Sequence, residues 1–216
     1  VRSCKSVGAY STLTLPASIF ATSSTSLMRS SRCSPLRLTM RSLARWPAVP
    51  AVYGWLALDV RGNWLLRNPS SEAFERIGNA ALREFIARNY ECDPRGCWYF
   101  QNGPQRVYVR LAYTPLVYRL DKDTLVDHCG RRAGAPQGAW LDEQGAILLL
   151  APPGVGVLED RDLAGASERL RDERGALVES LERARFFDFA ATRIALGHIA
   201  SREVPARFGF KPDPRS

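Results

Sequence analysis

The chain has 216 residues, 45% hydrophobic and 10% aromatic, enough to fill the core of one domain or two small ones. Thirty basic residues face 22 acidic ones, but Arg2, Lys5, Arg29, Arg32, Arg37, Arg41 and Arg45 all precede the first carboxylate, Asp59, leaving 23 against 22 in the rest. A near-neutral body offers no basic stripe for nucleic acid, no window approaches the roughly 18 apolar residues of a membrane span, and five cysteines set no disulfide framework.

Residues 1–49 are rich in Ser and Thr, contain no acid and show no apolar period of helical or strand type. They read as an extension outside the domain, disordered or misannotated. Three readings stay open: a flexible tail or targeting peptide, a secretory signal over residues 13–21, and upstream sequence translated ahead of a start at Met28 or Met40. Thr14, Pro16 and Ser18 interrupt the apolar run a signal needs. Lys5, Lys122 and Lys211 stand against 27 arginines, a bias of GC-rich bacterial coding sequence that favours the third reading, with Met40 as the start. An odd cysteine count without a signal run points to reducing cytoplasm.

From Tyr53 the pattern becomes periodic. Residues 53–59 and 63–67 predict a hairpin with Trp55 and Trp64 packing across it, ended by Asn68-Pro69-Ser70-Ser71. Asn79 is a good N-cap, and Leu82, Phe85, Ile86 and Tyr90 follow at helical spacing, which predicts a short amphipathic helix. Residues 97–101 and 105–111 flank Asn102-Gly103, a preferred two-residue hairpin turn; Val107, Val109 and Leu111 alternate with Arg106, Tyr108 and Arg110, so one face is core and the other wet. Residues 116–120 and 124–129 form another pair of strands, 130–138 a loop rich in Gly and Arg, and 146–150 an apolar strand closed by Pro152-Pro153-Gly154. Beyond Asp160 the period turns helical. Leu163, Ala166 and Leu170 predict one helix, and Leu177, Leu181 and Ala184 a second, from Gly175 to about Gly197. Val204-Pro205-Ala206-Arg207-Phe208-Gly209-Phe210 reads as an extended tail too apolar to be free.

A turn motif punctuates this order: Asp59-Val60-Arg61-Gly62 before Trp64, Asp93-Pro94-Arg95-Gly96 before Trp98, and Asp142-Glu143-Gln144-Gly145 before Ile147. Asp at the first position hydrogen-bonds the turn backbone and Gly at the fourth tolerates positive φ. A fourth copy, at Asp172 to Gly175, reads as a connector between the two helices. The fold class is therefore α+β, with repeated β-hairpins, a short helix in the first half and helices at the C-terminal end. Residues 50–120 make the first α+β repeat, and 121–216 the second, with the C-terminal helices and tail.

The order Trp55-x-x-x-Asp59-x-x-Gly62-x-Trp64, helix, Asp93-x-x-Gly96-x-Trp98, Val107-Tyr108-Val109 and Ala184-Arg185-Phe186-Phe187-Asp188-Phe189 resembles an uncharacterised proteobacterial group of domains of unknown function, over residues 53–190. The resemblance implies two α+β repeats, each folding strands around one short helix, and a ligand-responsive or signalling role. The segment 70–78 and the N-terminal stretch depart from that pattern.

Arg106, Tyr108 and Arg110 project from one strand face at about 6 to 7 Å spacing, where two arginines can hold an anion and the tyrosine supply a stacking surface. Asn102 and Gln105 add side-chain amides beside the turn. These five are the candidate ligand-binding residues; the plainer alternatives are a solvated face and a rigid hairpin tip. Asp188, between phenylalanines, is the one candidate acid or base, its pKa raised by desolvation, unless on its helix it faces water or pairs with Arg185 or Arg193. Cys92 and Cys97 flank a turn, and His128 and Cys129, adjacent in a strand, point to opposite faces, so no metal set forms. His198 reads as a helix-end cap. No catalytic triad, phosphate loop or dinucleotide fingerprint is present, which assigns no cofactor.

These features favour a non-enzymatic cytoplasmic bacterial module that binds a small molecule or a protein between its two halves, a place where pockets tend to occur. Two alternatives stand beside it: an enzyme using Asp188 with an arginine clamp, and an adaptor docking through its C-terminal tail. Neither nucleic acid nor membrane is expected as a partner, and the oligomeric state is open.

Overall fold

A computed structural model describes residues 50–215. The expectations for residues 1–49, Met40 included, lie outside the described residues. The local rule of the fold is the Asp-x-x-Gly turn, found five times among the described residues, at Asp59, Asp93, Asp127, Asp142 and Asp172. In every copy the aspartate Oδ1 accepts the backbone N–H groups two and four residues ahead at 2.7 to 2.9 Å. The glycine N–H returns to the aspartate carbonyl at 2.8 to 3.1 Å, with glycine φ between +78° and +83°. One carboxylate thus satisfies two backbone donors and fixes the chain reversal.

The strands arrange themselves in threes around these turns. β1 (Ala51–Leu58), β2 (Trp64–Arg67) and β3 (Phe74–Arg76) form the first antiparallel set. The helix α1 (Ala80–Arg88) leads to β4 (Tyr90–Cys92), β5 (Trp98–Asn102) and β6 (Gln105–Leu111), and the six make one sheet in the order β3-β2-β1-β6-β5-β4. The second half supplies β7 (Leu116–Asp121), β8 (Thr124–Asp127), β9 (Arg132–Ala133), β10 (Gly138–Leu141), β11 (Ile147–Ala151) and β12 (Gly154–Leu158). After α2 (Leu163–Ser167) come β13 (Leu170–Arg171), β14 (Phe186–Phe189) and β15 (Thr192–His198), completing a nine-stranded sheet, β13-β14-β15-β10-β11-β12-β7-β8-β9.

Three times, the last strand of one set lies parallel to the first strand of the set before it: β6 beside β1, β12 beside β7 and β15 beside β10. Both sheets are therefore mixed. No ladder joins β4 to β9. At that seam Arg131 is ion-paired to Asp127 at 2.8 Å and donates to the Tyr90 carbonyl at 3.5 Å.

One apolar core runs under both sheets, from Leu56, Ile86 and Phe100 to Leu148, Leu149 and Phe187. The buried Tyr90 ring sits in it with its hydroxyl donating to Pro115 O. A short C-terminal helix, α3 (Val204–Phe208), ends at Gly209 in the left-handed conformation, and the chain then returns to the first sheet. Lys211 N–H donates to Gly96 O and Leu111 N–H to Pro212 O, while Phe210 is buried.

Several expectations are corrected. The helix expected from Gly175 to Gly197 is instead a 3-10 turn at Leu181–Arg183 and the hairpin β14–β15. Phe187, Phe189, Ile194 and Leu196 are buried at period two, a strand signal that the Leu and Ala residues upstream obscured. Asp172 to Gly175 is a turn of the same kind as the others, closed by a bridge between Arg171 and Leu177. The helix over 163–170 stops at Ser167, and Leu170 belongs to β13. The tail at 204–210 is helical and docked rather than extended. Trp64 packs on Tyr90 and His128, not across its hairpin on Trp55. The loop at 130–138 contributes β9, and the segment 70–78 contributes the edge strand β3.

Candidate functional site

The two sheets meet where the Asp59 turn touches the Asp127 turn. A Cβ placed on Gly62 would lie 2.6 Å from His128 Cβ, so only glycine permits this approach, at a φ of +79°. Over the junction lies α1. Asn79 caps it by accepting from Leu82 N–H at 3.0 Å, Leu82 and Ile86 are buried in the core, and the other side of the helix carries Arg83, Glu84, Ala87 and Arg88. Between helix, edge strand and the two turns is a cleft of about 450 Å³, with Arg76, Arg83 and Arg88 on its walls and Trp64, His128 and Cys129 at the junction.

The junction groups are neutral. His128 packs 5.1 Å from Trp64 and 5.6 Å from Tyr90 between ring centroids, and its Nδ1 accepts the Val117 N–H at 3.3 Å. That bond leaves Nε2 as the protonated nitrogen of the neutral ring, and burial pushes its pKa down to about 4. Cys129 Sγ lies 3.6 Å from Nε2, but burial, and then the charge of Asp127, push the thiol up to about 12. A thiolate–imidazolium pair would put a proton on Nδ1, against the Val117 N–H, so these two residues do not make an activated nucleophile. Their adjacency differs from the expectation of opposite strand faces because they are the two central residues of the Asp127 turn.

The walls are charged. Arg83 Nη1 donates to the carbonyls of Ile77 and Gly78 at 3.0 and 2.8 Å, which fixes its guanidinium. Arg76 and Arg88 are exposed, and none of the three forms an ion pair among the described residues. Glu84 is the one carboxylate of the lining, and although four residues from Arg88 it does not pair with it. Eleven other arginines, among them Arg61 with Asp160 at 2.7 Å, do pair with carboxylates.

Arg106, Tyr108 and Arg110 do share the outer face of the first sheet, with Asn102 and Gln105 opposite one another at the tip of the β5–β6 hairpin. The open stacking surface expected at Tyr108 is absent, because the ring is only 4% exposed and lies parallel on Tyr53, centroids 4.6 Å apart. Its hydroxyl accepts from Arg95 at 3.1 Å and donates to Asp93 Oδ2 at 3.3 Å. Arg106 lies over the Tyr99 ring at 4.8 Å, and Tyr99, pushed up to about 12 by burial and by its bond to Glu91, stays a phenol. Arg110 is exposed. Asn102 and Gln105 pair across the turn, with Gly103 at φ +58° beside Pro104.

Asp188 lies in β14, not on a helix, and is gripped by Arg193 at 2.8 Å and Arg171 at 3.0 Å. The hydrogen bond from Arg193 holds its carboxyl below the usual range, the reverse of the raised pKa expected of a catalytic acid. His198 ends a strand rather than a helix. Among the described residues Cys97 and Cys129 are free thiols, and no three His, Cys, Asp or Glu side chains gather as metal ligands. Among them, too, no helix is long and apolar enough to cross a membrane. A second hollow, of about 360 Å³ between Ile147, Leu163, Leu170 and Val178, carries one charged side chain, Glu179, and lacks the convergent polar groups of the cleft.

The Asp127 turn of the cleft, though not its other walls, could have been found from the sequence by one relaxation of the turn motif. Asp127-His128-Cys129-Gly130 has the required Asp and Gly, but Arg131-Arg132 follow where the other strong copies place an apolar residue.

Fold and site together define a mixed-sheet protein with a cationic cleft at the junction of its sheets. The chain belongs to a family of proteins of unknown function: the DUF2944 family model, described as "Protein of unknown function (DUF2946)", matches residues 37–215. Among solved structures it is similar to a DUF1285 family protein from Silicibacter pomeroyi DSS-3, at 14% identity and a TM-score of 0.43, over 67% of this chain and 81% of that one. A DUF1285 family protein from Shewanella baltica OS155 is similar at 13% identity and a TM-score of 0.38, over 51% and 87%. No curated protein matches the chain.

Proposed function

We propose that the protein is a non-enzymatic module that holds a small molecule in the cleft between its sheets. The observation that carries this reading is the concavity itself, walled by α1 and β3 of the first half and by the Asp127 turn of the second, with three arginines on its walls, one of them held in place by backbone carbonyls. The groups nearest to chemistry support binding over catalysis: His128 is held neutral, Cys129 is held as a thiol, and Asp188 is neutralised by two arginines. The adaptor reading loses support because the apolar side chains of its tail, Val204 and Phe210, are buried in the same chain.

A second reading places an anionic ligand or an acidic surface on the outer face at Arg106 and Arg110, favoured by the exposure of both arginines. The two readings separate by substitution. Ala87→Trp fills the cleft from its helix wall, and Arg106→Gln with Arg110→Gln empties the outer face of charge. A deproteinised metabolite extract is expected to raise the melting temperature of the wild type and of the double variant, but not of Ala87→Trp. Ligand present at 100 times its Kd adds about 2.7 kcal/mol, which is readily measured. The same rise in Ala87→Trp, with none in the double variant, contradicts the cleft reading.

A further inference from the structure

We propose that the ligand of this cleft is a small polyanion, a molecule bearing at least two carboxylate or phosphate charges, clamped between Arg76 and Arg88 and oriented by Arg83. The inference rests on the cleft being the ligand site and adds the chemistry of its occupant. Three guanidinium groups and one carboxylate line the space, and none of them pairs with another. Like charges gathered in excess of counter-charge raise one another's energy, and an oxyanion relieves it.

The three arginines are not equivalent. Arg83 is held by the carbonyls of Ile77 and Gly78 through one nitrogen, which leaves its other donors aimed without a further loss of side-chain entropy on binding. Arg76 stands on the edge strand and Arg88 at the last turn of α1, so they approach the space from different elements. Arg88 also complements the negative end of the helix, which stabilises it in the free protein. A monoanion engages one of these walls; a molecule with charge at two ends engages both. Guanidinium groups suit planar carboxylate and phosphate oxygens by bidentate donation. The neutral His128 and the thiol of Cys129 put no further charge at the junction, so the charge of the ligand belongs on the arginine side of the cleft.

Inorganic phosphate, pyrophosphate and citrate are the probes, titrated calorimetrically into the full chain at low and at physiological salt. Saturable one-to-one binding of pyrophosphate or citrate, tighter than phosphate and weakened by salt, is expected, and whichever binds tighter tells phosphate from carboxylate ligands. Arg76→Gln and Arg88→Gln each lower that affinity roughly 10- to 100-fold, the loss of one charge-assisted contact, and Arg110→Gln leaves it unchanged. Both cleft variants should melt within about 2 °C of the wild type, as exposed substitutions do. Failure of all three probes, affinities untouched by both cleft substitutions, or an equal loss in Arg110→Gln overturns the polyanion assignment. If the probes fail while a metabolite extract still stabilises the wild type and not Ala87→Trp, the occupant is not a polyanion and the ligand module stands. If both experiments fail, so does the module.

Discussion

At the scale of single residues, His128 couples the junction to pH. Its folded pKa of about 4 lies below the ordinary value of 6.5, so between those limits the unfolded chain binds more protons than the folded one. Stability is therefore full above about pH 6.5 and falls as the pH drops, by up to about 3 kcal/mol at pH 4. The depressed carboxylates act in another window. For Asp93, burial opposes ionisation, but the N–H of Cys97 and the guanidinium of Arg95 outweigh it. Asp188 is held low by Arg193. Both contribute above the ordinary aspartate pKa of 3.8 and lose that contribution only as the pH falls further. Urea unfolding of the wild type and His128→Gln at pH 7 and pH 4.5 checks this: the wild type should lose much more stability than the variant over that span. Equal losses would show that His128 titrates normally in the fold. No composition or spacing rule exposes such a shift, because it comes from burial, in part against Trp64 and Tyr90, which are far from residue 128 in sequence.

At the scale of elements, the turn glycines share one φ but differ in what surrounds them, so substituting each with Ala separates conformational strain from contact. Gly130 has nothing within 4 Å of the place a Cβ would take and should show the strain alone, about 1 to 2 kcal/mol. Gly62→Ala should cost more, because its Cβ would meet His128 Cβ at 2.6 Å. Gly96→Ala should cost most, with Gly209 O only 2.2 Å away and held in backbone. A Gly62→Ala midpoint no lower than that of Gly130→Ala would refute the turn-to-turn packing at the junction. These turns were the most legible part of the chain, since one carboxylate and one glycine decide each of them locally. The Asn79 cap and the apolar spacing of α1 were legible for the same reason. Residues 175–197 were not: Leu177 and Leu181 lie at helical spacing yet are 60% and 40% exposed, whereas the buried Phe187 and Ile194 face one another across the β14–β15 hairpin, whose second strand joins the distant β10. The helix period was a coincidence of exposed leucines. Tertiary pairing overrode it.

At the scale of the whole molecule, the strand order sets each later group of strands alongside the one before it, and the C-terminal segment turns back onto the first sheet. The C-terminal segment closes on the first sheet at Gly96 and Leu111, while Arg61 bridges to Asp160 from the Asp59 turn. The cleft lies at the seam these contacts hold, and its walls are brought together by pairing that no local pattern announces. That is why Arg106, Tyr108 and Arg110, adjacent on one strand, were visible in the sequence as a candidate site, whereas Arg76, Arg88 and His128 were not. The most direct measurement is native mass spectrometry of the protein recovered from its own cells, comparing the wild type with Ala87→Trp. The wild type should carry one small molecule of defined mass that is missing from a folded Ala87→Trp variant. A wild type that carries nothing, or a variant that carries the same molecule, would contradict a ligand held between the sheets.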